Sequence, residues 1–415
     1  MCGYIKTEFY NICAGNANRR RGRRKTKPRP FSPGGGHLPL KLAGREQETS
    51  LLEEVIESLL GDSVDGKGYL QHPPSDPIKI VGPRGVGKTA LLTWTKRRAE
   101  KNEKVLVVRC AYLDDDDKTG DPMDSLVNAM KKWPAKVFDT LKAAGVSLPG
   151  GFGLNFQTDR PADTYEHLIA KIVEAKPLLL LLDEVHHFDL RPLGKLLQVN
   201  QQLISDGYPL GMVLAGTPGL DSHLAKASST FISRCDQIHI NTLSDAATRE
   251  ALEEPLRQVG VTVAPDALEA MAAQTDNYPY FIQYVGREVW RAASKAGRKD
   301  VDIALVKQVE EQARKGRRTI YTQAYDRMKK NRLLPYARQV MELLERNGGK
   351  VHEDAVTDAL VAANDGVDED RAEEIYENLR EDGFIWTVDD ETAPGIPSFF
   401  SYFKDRQKQP KNPPT

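Results

Sequence analysis

The sequence predicts an α/β protein: a parallel sheet carrying a glycine-rich loop, then a helical lid, then a C-terminal winged-helix domain. Three observations predict it. Short, wholly apolar strands alternate with helical segments as far as Asn241, the pattern of a parallel sheet covered on both faces. The glycine-rich turn over residues 82–89 joins a strand to a helix. Beyond Asn241 the strands give way to helices, and a short β segment returns only over 384–388.

Residues 1–38 read as a disordered basic tail, since polar residues, a cationic run and Pro28, Pro30, Pro33 and Gly34 to Gly36 cannot build a core. From Leu40 onward, Leu51, Leu52, Val55, Ile56, Leu59 and Leu60 recur at helical spacing. Strands are expected over 78–81, 105–108, 178–182, 212–215 and 238–240, giving a nucleotide-binding domain over 39–243. Helices over 244–258, 265–274, 280–295 and 301–315 form a lid domain over 244–317. Residues 318–405 show three amphipathic helices, the β segment, a turn over 389–397 and the aromatic run Phe399, Phe400, Tyr402 and Phe403. That order, helix-helix-helix-hairpin, predicts the winged helix, with 406–415 as a C-terminal tail.

With 415 residues, 40% hydrophobic and 28% charged, the chain has the composition of a multidomain globular protein. Its longest apolar run, 178–182, falls far short of the roughly 20 residues that cross a bilayer, so no membrane partner is expected. The N-terminus lacks the apolar stretch of a secretory signal. Cys2, Cys13, Cys110 and Cys235 show no metal-ligand spacing, which fits a reducing cytoplasm. The net charge of −1 hides segregation. Arg19, Arg20, Arg21, Arg23, Arg24, Lys25, Lys27 and Arg29 occur without an acid between them, whereas 365–391 holds twelve acids against Arg371 and Arg380.

Gly82-Pro83-Arg84-Gly85-Val86-Gly87-Lys88-Thr89 matches GxxxxGK[ST] at every fixed position, with Ala90 opening the helix behind it. Glycines let such a loop curl its N–H groups inward at a helix N-terminus, a nest for phosphate. Lys88 brings charge to the β- and γ-phosphates of ATP, and Thr89 a hydroxyl ligand to Mg²⁺. Five leucines, 178–182, end in Asp183 and Glu184. Asp183 is expected to hold Mg²⁺, and Glu184 to orient and deprotonate the attacking water, which implies ATP hydrolysis. Val213-Leu214-Ala215-Gly216-Thr217-Pro218 ends another apolar strand in a hydroxyl. Thr217 is either a γ-phosphate sensor or a cap for the next helix. Arg234, before the last strand, either reaches a neighbouring protomer's γ-phosphate or pairs locally with Asp236.

These residues, with Leu42-Ala43-Gly44-Arg45-Glu46 and Asn277-Tyr278-Pro279-Tyr280, resemble the AAA+ P-loop ATPases of the origin-recognition-complex/initiator type and the related prokaryotic STAND-like ATPases. The resemblance covers about residues 40–405. It implies that Gly44, Arg45 and Glu46 lie near the adenine, that Pro279 touches the base from the lid, and that ATP drives assembly of identical chains. One departure is Asn277-Tyr278-Pro279, where the STAND lid has Gly-x-Pro; asparagine tolerates the left-handed turn that glycine would supply.

His186 and His187 follow the acidic pair, in either a phosphate-linked or an ordinary packing role. Asp114 to Asp117 read as a solvated loop. The third helix of the C-terminal domain, 368–381, presents an acidic outer face, which argues against major-groove reading and suits a protein partner. Upstream lie Arg314, Lys315, Arg317, Arg318, Arg327, Lys329, Lys330 and Arg332, with Tyr321 and Tyr325 among them. This segment either binds DNA, for which the arm over 19–29 is the other candidate, or pairs with the acidic helix. Three functions stay open: an ATP-hydrolysing switch coupled to assembly or partner binding, an ATP-dependent DNA-binding initiator or transposition regulator, and a signalling or defence scaffold with vestigial hydrolysis.

Overall fold

The computed structural model describes residues 29–34, 37–61, 75–111, 122, 163–228, 230–388 and 390–408. The basic run over 19–28, Cys2, Cys13 and Asp114 to Asp117 lie outside them. Five parallel strands, β1 (Ile78–Val81), β2 (Leu106–Ala111), β3 (Leu178–Asp183), β4 (Leu210–Gly216) and β5 (Asp236–His239), form one sheet in the order β2-β3-β4-β1-β5. In register, Ile78 faces Val213 and Asp236, and Leu106 faces Leu178. All the strand C-termini therefore meet at one edge.

The period-two alternation of the strands sorts their side chains to two faces. Ile78, Ile80, Leu179, Leu181, Val213 and Ala215 pack with α1 (Glu46–Ser58) and α2 (Lys88–Glu100). Leu178, Leu180, Leu182, Met212 and Leu214 pack with α3 (Asp163–Ala175), α4 (Leu190–Ser205) and α5 (Leu220–Ala227). Both faces being dry explains why β3 and β4 read as continuous apolar runs, whereas the edge strand β5 buries only Ile238. Each of these five strands overlaps one expected, with ends shifted by up to three residues.

The lid contains α6 (Asp245–Gln258), α7 (Pro265–Ala273) and α8 (Pro279–Lys295), followed by α9 (Ile303–Lys330). Ser244 and Asp302 cap α6 and α9 by accepting the N–H groups of Ala247 and Leu305. The strands do not stop at Asn241: β6 (Thr262–Val263) and β7 (Asp300–Val301) pair in parallel and clip the two ends of the lid together. The division expected at 317/318 falls inside α9, a continuous 28-residue helix. Its buried residues Leu305, Val306, Val309, Ala313, Tyr321, Ala324 and Met328 keep the helical period across that point.

The C-terminal region continues with α10 (Leu334–Arg346), β8 (Val351–His352), α11 (Glu353–Ala363), α12 (Glu369–Glu381), β9 (Ile385–Val388), β10 (Glu391–Pro394) and α13 (Phe399–Lys408). The strands form an antiparallel sheet in the order β8-β10-β9. The aromatic run is helical, and Phe399 and Phe403 close on Tyr321, Tyr325 and Phe384. So α13 carries ordered structure three residues into the expected tail. Trp386 on β9 joins the sheet's core, edge-on to His239 of β5.

Residues 29–34 and 37–38 are not a disordered tail. Phe31 is 2% exposed, buried among lid residues of α6 and α8, and its ring fills the notch left by Gly286, where a Cβ would come within 2.4 Å of it. Ser32 N–H donates to Gln283 Oε1 at 3.1 Å. One aromatic in a Pro/Gly-rich stretch carries no periodicity, so the sequence hid this strap.

The basic segment also departs from expectation. Arg314 and Lys315 pair with Glu310 and Glu311 one turn back, and Arg317 lies 3.5 Å from Asp276. Arg327 alone among them reaches the end of the acidic helix, at Asp382. On α12, Glu369, Asp370, Glu373 and Glu374 are exposed, but Glu377 and Glu381 turn inward.

Candidate nucleotide site

A cleft of about 400 Å³ opens at the C-terminal edge of the sheet. One wall is the loop from Arg84 to Ala90, another the strap and lid (Ser32, Pro33, His37, Pro279, Tyr280, Gln283), and a third α9 with Ile396. Gly85 and Gly87 adopt φ of 85° and 107°, which only glycine takes without strain. Gly82 passes so close to β5 that a Cβ would lie 2.4 Å from Ile240 O. The first helical bonds of α2 run from Ala90 and Leu91 N–H to Gly87 O, leaving the N–H groups of Lys88 and Thr89 without a helical acceptor. Loop and helix together make an anion cradle.

Lys88 is buried, and its ammonium donates to Gly82 O at 2.7 Å and Pro83 O at 2.9 Å. Burial lowers its pKa to about 8, against the opposing pull of Glu184 and Asp183. Opposite, Thr89 Oγ1 donates to Asp183 Oδ1 at 3.4 Å, putting together two hard oxygen donors of the kind Mg²⁺ prefers. Asp183 also accepts from Arg109 Nη2 at 2.6 Å. Arg109 carries no local signal in the sequence; its place on β2, beside β3 in the sheet, brings it there.

Glu184 sits at φ 54°, a left-handed conformation that starts the turn after β3 and lets the side chain line the cleft. Its Oε2 lies 3.2 Å from His186 Nε2, off the hydrogen-bond axis, so neither buried atom has a hydrogen-bond partner. His186 Nδ1 accepts from Thr217 N–H at 3.4 Å. Burial, then the neighbouring His187 and the cations Arg84 and Lys88, hold His186 neutral, with its pKa lowered to about 2. The ligating atoms of Glu184, His186 and His187 all lie within 4.8 Å of one another. With Nδ1 engaged by Thr217 N–H, His186 presents Nε2 toward Glu184.

Thr217 follows β4, the strand between β1 and β3, and is fully buried with Oγ1 unpartnered. It caps nothing: the N-cap of α5 is Gly219, which has no side-chain bond. Its hydroxyl is left without a partner just beyond the C-terminal end of β4.

Arg45 is the N-cap of α1 and donates to Asn241 O at 2.5 Å, with its pKa lowered by burial. It lines the cleft, whereas Gly44 packs on Ala247 and Glu46 is exposed. Pro279 lines the cleft at the first turn of α8, and Asn277 adopts φ 57°, the left-handed turn that the departure from glycine required. Tyr278, unnoticed in the sequence as a functional residue, is fully buried and donates its hydroxyl to Arg84 O, tying lid to loop.

Arg234 is not brought to this site. It is exposed in the turn before β5, whose first residue pairs at the start of β1, one strand length from the loop. It makes no ion pair with Asp236 among the described residues.

Residues 75–224 match the family model described as an AAA domain. No curated protein matches the chain. Among solved structures, the chain is similar to the Walker-type ATPase PABY2304 of Pyrococcus abyssi, at 17% identity and a TM-score of 0.56, over 88% of this chain and 99% of that one. It is also similar to the Aeropyrum pernix ORC2 protein in its ADPNP–ADP complexes, at 15% identity and a TM-score of 0.55, over 90% of this chain and 97% of that one. The ADP form of that protein gives 16% and 0.52 over 90% and 96%. The fold is that of an AAA+ P-loop protein.

Proposed function

We propose that the chain binds Mg·ATP in the cleft between loop, strap and lid, hydrolyses it, and uses the cycle to change its assembly or its hold on a partner. The observation that carries this reading is the pairing of an anion cradle and buried ammonium at 82–89 with a carboxylate pair at the end of β3, across β4. The N–H groups of the loop and Lys88 bind the β- and γ-phosphates, for which Lys88 leaves its loop carbonyls. Phosphate raises the pKa of its ammonium again, securing the charge. Thr89 and Asp183 hold Mg²⁺, which supplies charge neutralisation at the phosphates; Arg109 holds Asp183 in place meanwhile. Glu184 orients the attacking water and accepts its proton, and Thr217 aligns the γ-phosphate or the water. Arg45 and Pro279 bound the base end.

Residues 318–405 act as a winged helix within the order helix, strand, helix, helix, hairpin, here serving as the relay to a protein partner. Arg234, exposed and unpaired, suits completion of a neighbouring protomer's site in a homo-oligomer. A cytoplasmic location follows for a consumer of ATP with free cysteines. Contact with DNA through 19–29 or 314–332 is the weaker reading, because Arg314, Lys315, Arg317 and Arg327 already have acidic partners.

The test is Mg·ATP binding and phosphate release by two variants. Lys88→Ala is expected to abolish binding. Glu184→Gln is expected to keep binding and to slow turnover by roughly 10²-fold or more, the scale of a lost general base. Normal affinity in the first, or normal turnover in the second, contradicts the assignment.

A further inference from the structure

The C-terminal region does not stand apart from the cleft. Arg327, on α9, lines it together with Arg84, Lys88 and Glu184. Its Nε donates to Asp382 Oδ1 at 2.7 Å, with the arginine side chain 36% exposed and the aspartate 8%. Asp382 caps the C-terminal end of α12. Just before it, Arg380 Nη2 reaches Pro218 O at 3.5 Å, and Glu381 packs so tightly on Gly219 that a Cβ there would lie 2.7 Å from its Oε1. Thus the end of the acidic helix is wedged onto the turn that carries Thr217, with Arg84 of the phosphate loop near enough for its charge to act on both Glu381 and Asp382.

Two atoms in this wedge are buried without a hydrogen-bond partner: Arg84 Nε, a donor, and Asp382 Oδ2, an acceptor. A buried orphan of either kind is costly unless something visits the site to satisfy it. An anion satisfies the donor and repels the carboxylate. We propose that Arg327 is a binding residue for the terminal phosphate of a nucleoside triphosphate, held in reserve by Asp382, so that ATP and the docked C-terminal domain compete for one guanidinium. This inference rests on the ATP reading above. An arginine fork suits a phosphate at least as well as a carboxylate, and its long half-exposed side chain can swing without moving α9. The triphosphate also places several negative charges beside Glu381 and Asp382, so that attraction of Arg327 and repulsion of α12 act in one direction. A diphosphate lacks the group that competes.

The experiment measures Mg·ATP and Mg·ADP affinity of the full chain, with Trp386 emission as the reporter of docking and W386F as its control. Asp382→Asn frees the guanidinium: ATP is expected to bind roughly tenfold tighter, about one charge-assisted hydrogen bond, with ADP unchanged. Arg327→Gln is expected to cut the ATP-over-ADP preference by about tenfold. In the wild type, ATP red-shifts Trp386 and ADP does not. An unchanged preference in Arg327→Gln, which alters only the half-exposed partner, overturns the proposal even where Asp382→Asn fails to fold. A wild type that binds both nucleotides with equal effect on Trp386 overturns it alone. A wild type that binds neither overturns the ATP reading with it.

Discussion

Removing the ring of Phe31 is expected to release the whole strap from the lid. A fully buried phenylalanine cut to alanine costs about 3–5 kcal/mol. What then holds residues 29–34 is chiefly the bond from Ser32 N–H to Gln283, on the order of 1 kcal/mol net. Against it stands an ordering cost of about 1–2 kcal/mol for each backbone residue. The strap therefore detaches in Phe31→Ala while the sheet and lid stay folded. Because Ser32, Pro33, Gly34 and His37 line the cleft, ATP affinity should fall by roughly three- to tenfold, less than 1.4 kcal/mol. Gly286→Ala attacks the same contact from the other side, since its Cβ would meet the ring at 2.4 Å. Amide exchange over 29–34 and ATP titration read both variants. With the ring gone there is room for the new methyl, so the double variant should be no worse than Phe31→Ala alone. Full protection of the strap in Phe31→Ala, or losses that simply add in the double variant, would refute this account.

Thr217→Val removes a buried hydroxyl that has no partner. The melt is expected to show unchanged or higher stability, by up to about 1 kcal/mol, while phosphate release slows about tenfold or more; undiminished turnover would make Thr217 a packing residue. Acidification offers a second check. Burial first of all raises the pKa values of Glu377, Glu381 and Asp382. Facing them, Arg380, Arg327, Arg84 and Lys226 pull downward, and Glu353 pushes upward on Glu377. These carboxyls bind protons more tightly when docked than when released, so docking strengthens as pH falls from 7 toward 5 and weakens as pH rises through their docked values. The urea concentration that exposes Trp386 should rise accordingly, and a fall on acidification would reverse the sign of the argument.

The loop, its lysine and the two acids of β3 were legible in the sequence because their chemistry is packed into a few consecutive residues. The central strands β3 and β4 were legible because a sheet dry on both faces leaves unbroken apolar runs. What escaped notice depends on contacts far apart in the chain. Tyr278 reaches Arg84 across 194 positions and Arg109 reaches Asp183 across 74; neither residue differs locally from any other tyrosine or strand arginine. The helix across 317/318 was concealed by charge, since Lys315, Arg317 and Arg318 interrupt the apolar period that Ala313 and Tyr321 resume. Phe31 was masked by the prolines and glycines around it. The inward turn of Glu377 and Glu381 was invisible for a different reason: an acid pointing at a neighbouring domain looks, in sequence, like one pointing at water.

One helix, α9, begins among lid residues and ends against the C-terminal sheet. At 1.5 Å per residue its 28 residues span about 42 Å. It contains no proline, and Gly316, its weakest link, is covered by the ring of Tyr284. Such a rod has no joint at which to absorb motion. A tilt of about 5° where the lid grips one end carries the other end about 4 Å, since displacement grows with the length of the arm. Closure of the lid that tilts the helix by this much would thus arrive at the far domain as a step large enough to part an ion pair.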